Sequence, residues 1–242
     1  MDLTFLKRFS YNVNPEIFDV DDKLTNIPWI TIPDTIISPD NWDLFWELWN
    51  KDKSPMAPAG KEDSAIWDSL CIWKSPELSN IMHSSYPAKI VDWYPYFPNM
   101  IDQLRTIMPF SHIEKITLSS NKKAVVPHID PAATFYPWPN SLRVMIYDTN
   151  TRPTFYLKKW SSLSLNREPI TSVNPDLRQT YEIEPVPYNE KMYVDLPETS
   201  NTFLFNNGEF LHGADLVDNK IILLVWGIPD ILKWKSYLYR LL

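Results

Sequence analysis

His128 and Asp130 stand one residue apart, and on an extended strand that spacing turns both side chains to one face. Val125-Val126-Pro127 leads into them as a strand would, and Pro131-Ala132-Ala133 closes the ladder because proline has no N–H to contribute. His212 lies far along the chain. Two of the four glycines, Gly208 and Gly213, flank it, which suits a sharp turn or a close backbone approach. Asn201 to Phe205 and Lys220 to Trp226 read as strands on either side of it. A fold that brings these three residues together is therefore β-rich. Two imidazoles and one carboxylate form the facial donor set of a mononuclear nonhaem Fe(II), which leaves positions open for an oxo acid and dioxygen. The dipeptide spacing also arises by chance, in which case the three residues are unrelated in space.

Of the other histidines, His83 and His112 lack metal-ligand spacing and read as structural or exposed. Cys71 stands alone, so an intramolecular disulfide and a cysteine-based zinc site both lack partners, and a reducing, cytoplasmic setting is expected. There is no phosphate-binding glycine loop, no G-x-S-x-G elbow and no internal repeat. A net charge of −7 argues against broad nucleic-acid binding, which needs clustered Lys and Arg. No apolar run approaches the length of a membrane span, and the first residues lack the order of a signal peptide.

At 242 residues, 44% of them apolar, the chain fits a single domain, 1–242. Residues 1–112 read as loops and helices packed on a core. The first helix is expected to open at Ser38-Pro39-Asp40-Asn41, with a hydroxyl cap and proline at its first position. Trp42, Phe45, Trp46 and Trp49 then fall at helical spacing, a stripe that faces the core or forms an aromatic box for a ligand. A second helix starts at Ser75-Pro76-Glu77 and a third lies near Asn99 to Met108. Residues 113–230 carry the strands, with a long connection between Lys158 and Pro197. Phe135, Tyr136 and Trp138, in the loop leaving Asp130, form either a lid over the site or a loop pinned by prolines. Residues 231–242 repeat apolar positions at helical spacing, a helix that packs on the core or joins two protomers as a homodimer.

The ordered pattern from Ile116 to Gly227 resembles the Fe(II)/2-oxoglutarate-dependent dioxygenases, whose H-x-D/E and distal His sit on neighbouring strands. Ser141 to Tyr147, Thr154 to Leu157, Phe203 to Asn207 and His212 look most like the aspartyl/asparaginyl β-hydroxylase branch. The resemblance implies a mainly β fold with flanking helices: a double-stranded β-helix core of the jelly-roll, cupin-like kind, with an N-terminal helical elaboration. It also implies Fe(II) on His128, Asp130 and His212, with 2-oxoglutarate and O2 as cosubstrates. The activity implied is hydroxylation of an unactivated C–H bond of an amino-acid, peptidyl or other small substrate, with release of succinate and CO2.

One feature departs from that family. It commonly carries an arginine on the strand after the distal histidine to pair the remote carboxylate of 2-oxoglutarate, and Ile222 stands there in this chain. Lys220 and Arg143 are the cations available nearby, with Ser119 as a hydroxyl donor. Arg143 sits in an apolar run where an uncompensated charge is costly, so it meets either an anionic ligand or a carboxylate such as Asp148. Lys220, after Asp218-Asn219, is either that partner or a solvated strand start. Two other functions stay open: a cupin-type metalloenzyme that does not use 2-oxoglutarate, and a noncatalytic jelly-roll binding module.

Overall fold

The computed structural model describes residues 29–56, 66–75, 89–129, 141–147, 154–157, 170–171, 179–180, 188–205, 212–217 and 220–230, with 232, 233 and 236. Among them the strands are β1 (Trp29–Thr31), β2 (Ser54–Met56), β3 (Trp67–Lys74), β4 (Phe110–Asn121), β5 (Val125–Ile129), β6 (Ser141–Tyr147), β7 (Thr154–Leu157), β8 (Ile170–Thr171), β9 (Gln179–Thr180), β10 (Lys191–Tyr193), β11 (Thr202–Phe205), β12 (His212–Ala214) and β13 (Ile221–Pro229). The helices are α1 (Trp42–Asp52) and α2 (Pro98–Ile107). The strands form a seven-stranded sheet in the order β1-β11-β6-β13-β4-β3-β2 and a six-stranded sheet in the order β10-β7-β12-β5-β9-β8. The central pairs β13–β4, β13–β6, β12–β5 and β12–β7 are all antiparallel.

The period of two along each strand divides the larger sheet into two faces. Leu142, Val144 and Ile146 of β6, Ile221, Leu223 and Val225 of β13, and Ile116 and Leu118 of β4 pack against Phe45 and Trp49 of α1 and Met100, Ile101 and Leu104 of α2. The intervening residues Met145, Ile222 and Phe203 turn the other way and form a separate cluster with Tyr156 of β7. The two sheets thus face each other across an interior that the helices do not fill. Arg143 lies on this inner face, since its cross-strand partners are Phe203 and Leu224. Ser119 lies there too, opposite Ile222.

The helices are capped by a different arrangement from the one the sequence predicts. Asn41, and not Ser38, caps α1, its Oδ1 accepting from Leu44 N at 3.1 Å. Asp40 instead serves α2: its carboxylate accepts from Met100 N at 3.3 Å, where the N-cap residue Phe97 offers no side-chain acceptor. Of the aromatic stripe on α1, Phe45 and Trp49 are buried, whereas Trp42 is 38% exposed and rests edge-on against Phe45 and Tyr147. The region read as loops and helices also contributes strands: β3 extends the large sheet beside β4, and β2 forms its edge. His112 lies within β4, its Nε2 3.1 Å from Ser75 Oγ, which fits its structural reading. The helix expected from Ser75 onward, the aromatic loop after Asp130 and most of the C-terminal helix lie outside the described residues. No helix among the described residues is long and apolar enough to cross a membrane.

At the end of α1, the buried Asp52 accepts from Lys89 Nζ at 2.9 Å and from Trp93 Nε1 at 3.4 Å. Burial raises its pKa, but the two hydrogen bonds and the charge of Lys89 outweigh that effect, so the carboxyl is held below its ordinary 3.8. A depressed folded-state pKa contributes stability above the unfolded value and loses it as pH falls through the folded one. Asp52→Asn should therefore cost about 1 kcal/mol at neutral pH, and its deficit against wild type should shrink in acid below 3.8. Thermal unfolding of both proteins at neutral pH and in acid checks this; a deficit independent of pH would contradict it.

Candidate metal centre

β12 is three residues long and lies between β5 and β7. His212 is the cross-strand partner of His128 on one side and of Tyr156 on the other. Residues directly opposite in antiparallel strands share a sheet face, so positions 128, 212 and 156 form one row. Tyr156 belongs to the cluster between the sheets, which makes this row inward-facing. His212 is 2% exposed, and its ring lies 6.1 Å from that of Tyr156. Tyr156 is in turn stacked on Trp29 of β1, ring centroids 5.7 Å apart at 18°.

Two of the three residues selected from the sequence are therefore brought to adjacent backbone positions, although they are far apart in the chain. Asp130 follows β5 directly and lies outside the described residues. Among the described residues no group of three or more His, Cys, Asp and Glu converges. The observed part of the donor set fits a metal: a buried imidazole facing the interior, with a second histidine position directly across the ladder. Cys71 is no rival nucleophile. Burial pushes its thiol above the ordinary range, and its Sγ lies 3.3 Å from the carbonyl oxygen of Trp73.

Gly213 is what allows β12 to approach both neighbours. A Cβ at this position would meet the carbonyl oxygen of Val125 in β5 at 2.5 Å and Phe155 Cζ in β7 at 2.8 Å. The glycine is needed here for space.

The basic residues are less alike than their sequence contexts suggest. Lys220 is 1% exposed, so the reading of a solvated strand start does not hold. From the residue preceding β13 it reaches across to the small sheet, where Nζ donates to the buried Thr154 Oγ1 at 3.0 Å. Thr154 is the cross-strand partner of Ala214, one inward-facing position along from the His212–Tyr156 row. Arg143, by contrast, is only partly buried, and Ser119 lies on β4. Thr154 and Tyr156 carry no signal as single residues. Their place on alternate positions of a strand that pairs with β12 is what gives them a role.

Two facing antiparallel sheets with a histidine pair on abutting inner strands define a β-rich chain with a candidate metal site between its layers. No family model matches the chain, and no curated protein matches it. Among solved structures, it is similar to the epimerase SnoN in complex with Fe3+, alpha-ketoglutarate and nogalamycin RO, at 11% identity and a TM-score of 0.41, over 88% of this chain and 85% of that one. It is also similar to YcfD of E. coli, at 13% identity and a TM-score of 0.38, over 97% of this chain and 60% of that one.

Gly213→Ala should lower stability by about 1–3 kcal/mol, because a methyl forced against a backbone carbonyl requires β12 to move. The midpoint of urea unfolding reads this directly, and an unchanged midpoint would contradict the close approach.

Proposed function

We propose that this protein is an Fe(II)- and 2-oxoglutarate-dependent oxygenase whose metal is held by His128, Asp130 and His212. The observation that carries the reading is the register of the small sheet, in which the buried His212 pairs directly with the backbone position of His128. The strand order supports it. β4, β13, β6 and β11 are neighbours in one sheet, and β5, β12, β7 and β10 in the other. The chain passes between the sheets from β4 to β5, β6 and β7, then from β10 to β11, β12 and β13, as a double-stranded β-helix of the jelly-roll kind does.

Fe(II) in such a site supplies the coupling of dioxygen activation to decarboxylation of the 2-oxo acid, with succinate and CO2 released and a C–H bond of an amino-acid, peptidyl or other small substrate hydroxylated. The chain's own task is to position and to exclude. His128 and His212 would present imidazole nitrogens from neighbouring strands, and Asp130 would supply the charge that completes the set. Lys220 is the cation we assign to the remote carboxylate of 2-oxoglutarate. Its partner Thr154 is two residues along β7 from Tyr156, about 7 Å at the rise of a strand, a span that matches a short dicarboxylate reaching from the histidine row. Thr154 would hold the same carboxylate through its hydroxyl. Tyr156, Met145, Phe203 and Ile222 line the interior beside the row and would keep water from a metal held there.

Adding Fe(II) and 2-oxoglutarate to metal-free protein without oxygen should give the visible charge-transfer band of a chelated 2-oxo acid. His212→Ala should abolish it. Lys220→Met should keep iron binding and raise the 2-oxoglutarate concentration needed for half-saturation by about 10- to 100-fold, the loss of one charge-assisted hydrogen bond. Arg143→Met should leave that concentration unchanged. Iron binding without a band would exclude 2-oxoglutarate and favour the cupin-type alternative. Absence of iron binding would leave the noncatalytic module.

A further inference from the structure

We propose that Asp215 is a positioning residue for His212, acting through a brace on the outer face of the six-stranded sheet. The inference rests on the metal reading above. His212 and Ala214 face the interior, so Gly213 and Asp215 fall on the opposite side of β12 and its continuation. Asp215 spends both carboxylate oxygens on β10: Lys191 Nζ donates to Oδ1 at 2.7 Å and Tyr193 Oη donates to Oδ2 at 2.5 Å. β10 is not the neighbour of β12, because β7 runs between them. The tie therefore spans a strand, and Phe155 of β7 lies beneath it.

Phe155 locks the arrangement in two directions. Lys191 Nζ stands 4.5 Å from its ring centroid, and the Tyr193 ring meets it edge-on at 5.9 Å. The same phenyl ring fills the space that a Cβ on Gly213 would occupy. A strand of three residues has few ladder bonds of its own to fix its position. β12 is held at Gly213 by the ring and beyond Ala214 by the carboxylate, and the imidazole of His212 takes its place from that frame. An ion pair with one partner 38% exposed adds little to global stability. Its use is local: it sets where one metal ligand stands.

The test is a Co(II) titration of the full-length protein, read by the visible d–d bands, beside thermal unfolding. Asp215→Ala should weaken Co(II) binding about tenfold and alter the bands while lowering Tm by only a few degrees, as loss of a ligand's supporting contacts does. Asp215→Asn should fall between Asp215→Ala and wild type, since it keeps an acceptor for Tyr193. Tyr193→Phe, which removes one donor and no charge, should shift affinity in the same direction and serves if Asp215→Ala does not fold. Asp52→Asn, on the helix side of the large sheet, provides the comparison: it should lower Tm without moving Co(II) affinity. Wild-type affinity and bands in Asp215→Ala would overturn the inference alone, as would an affinity loss equalled by Asp52→Asn. Wild-type protein that binds no Co(II) would overturn the metal reading and this inference with it.

Discussion

His212 faces the interior because it pairs directly with Tyr156 of β7, in unbroken register, and with His128 of β5, where the ladder shifts only after His212. A shift of one residue would turn His212 to the outer face and bring Asp215 inward, where it would lose both donors from β10. It would also place a side chain where only Gly213 fits, between the carbonyl of Val125 and the ring of Phe155. The register is thus specified from both faces of the sheet. The position of His128 opposite His212, the burial of Tyr156 and the reach of Lys220 to Thr154 all follow from it.

The larger sheet leaves the inner layer room for polar groups by meeting the demand for a core elsewhere. Its outer face packs on α1 and α2 with Phe45, Trp49, Phe97 and Leu104, an apolar layer with no part in the site. The inner face can then hold polar groups among its apolar ones: Ser119 and Thr117 on β4, Arg143 on β6, and Lys220 at the start of β13. Buried polar groups are tolerated when they are hydrogen-bonded, as Lys220 is to Thr154. Asn201 adjusts the edge of this layer. Its side chain takes the N–H and carbonyl of Ile37 and thereby fixes the approach to α1 beside β6 and β11.

Where pattern alone decides structure, the sequence was readable. The strands read at Asn201 to Phe205 and Lys220 to Trp226 emerge as β11 and β13, each starting one residue later and β13 running on to Pro229, and α2 lies within a residue of its expected place. β3 carries no strand signal in the sequence, because its central residues are buried on both faces and no alternation marks it. The cap of α1 is ambiguous in the sequence because Ser38, Asp40 and Asn41 all carry capping side chains, and Asp40 is claimed by α2, sixty residues away. The context of Lys220 after Asp218-Asn219 leaves it either an anion partner or a solvated strand start; its burial against a threonine 66 positions distant decides between them. Of the candidate site, His128 and His212 stand out in the sequence by local spacing and glycine context, and the strands bring their two positions opposite each other. Tyr156, Thr154 and the contacts of Asp215 do not stand out in this way, because their places beside His212 exist only once strands pair.

X-ray absorption at the iron edge, on protein loaded with Fe(II) without oxygen, tests most directly whether His128 and His212 meet at one metal. The account predicts imidazole scattering from two histidines in the wild type, and from one in His128→Ala and in His212→Ala alike. An imidazole count that does not fall in either variant would contradict it.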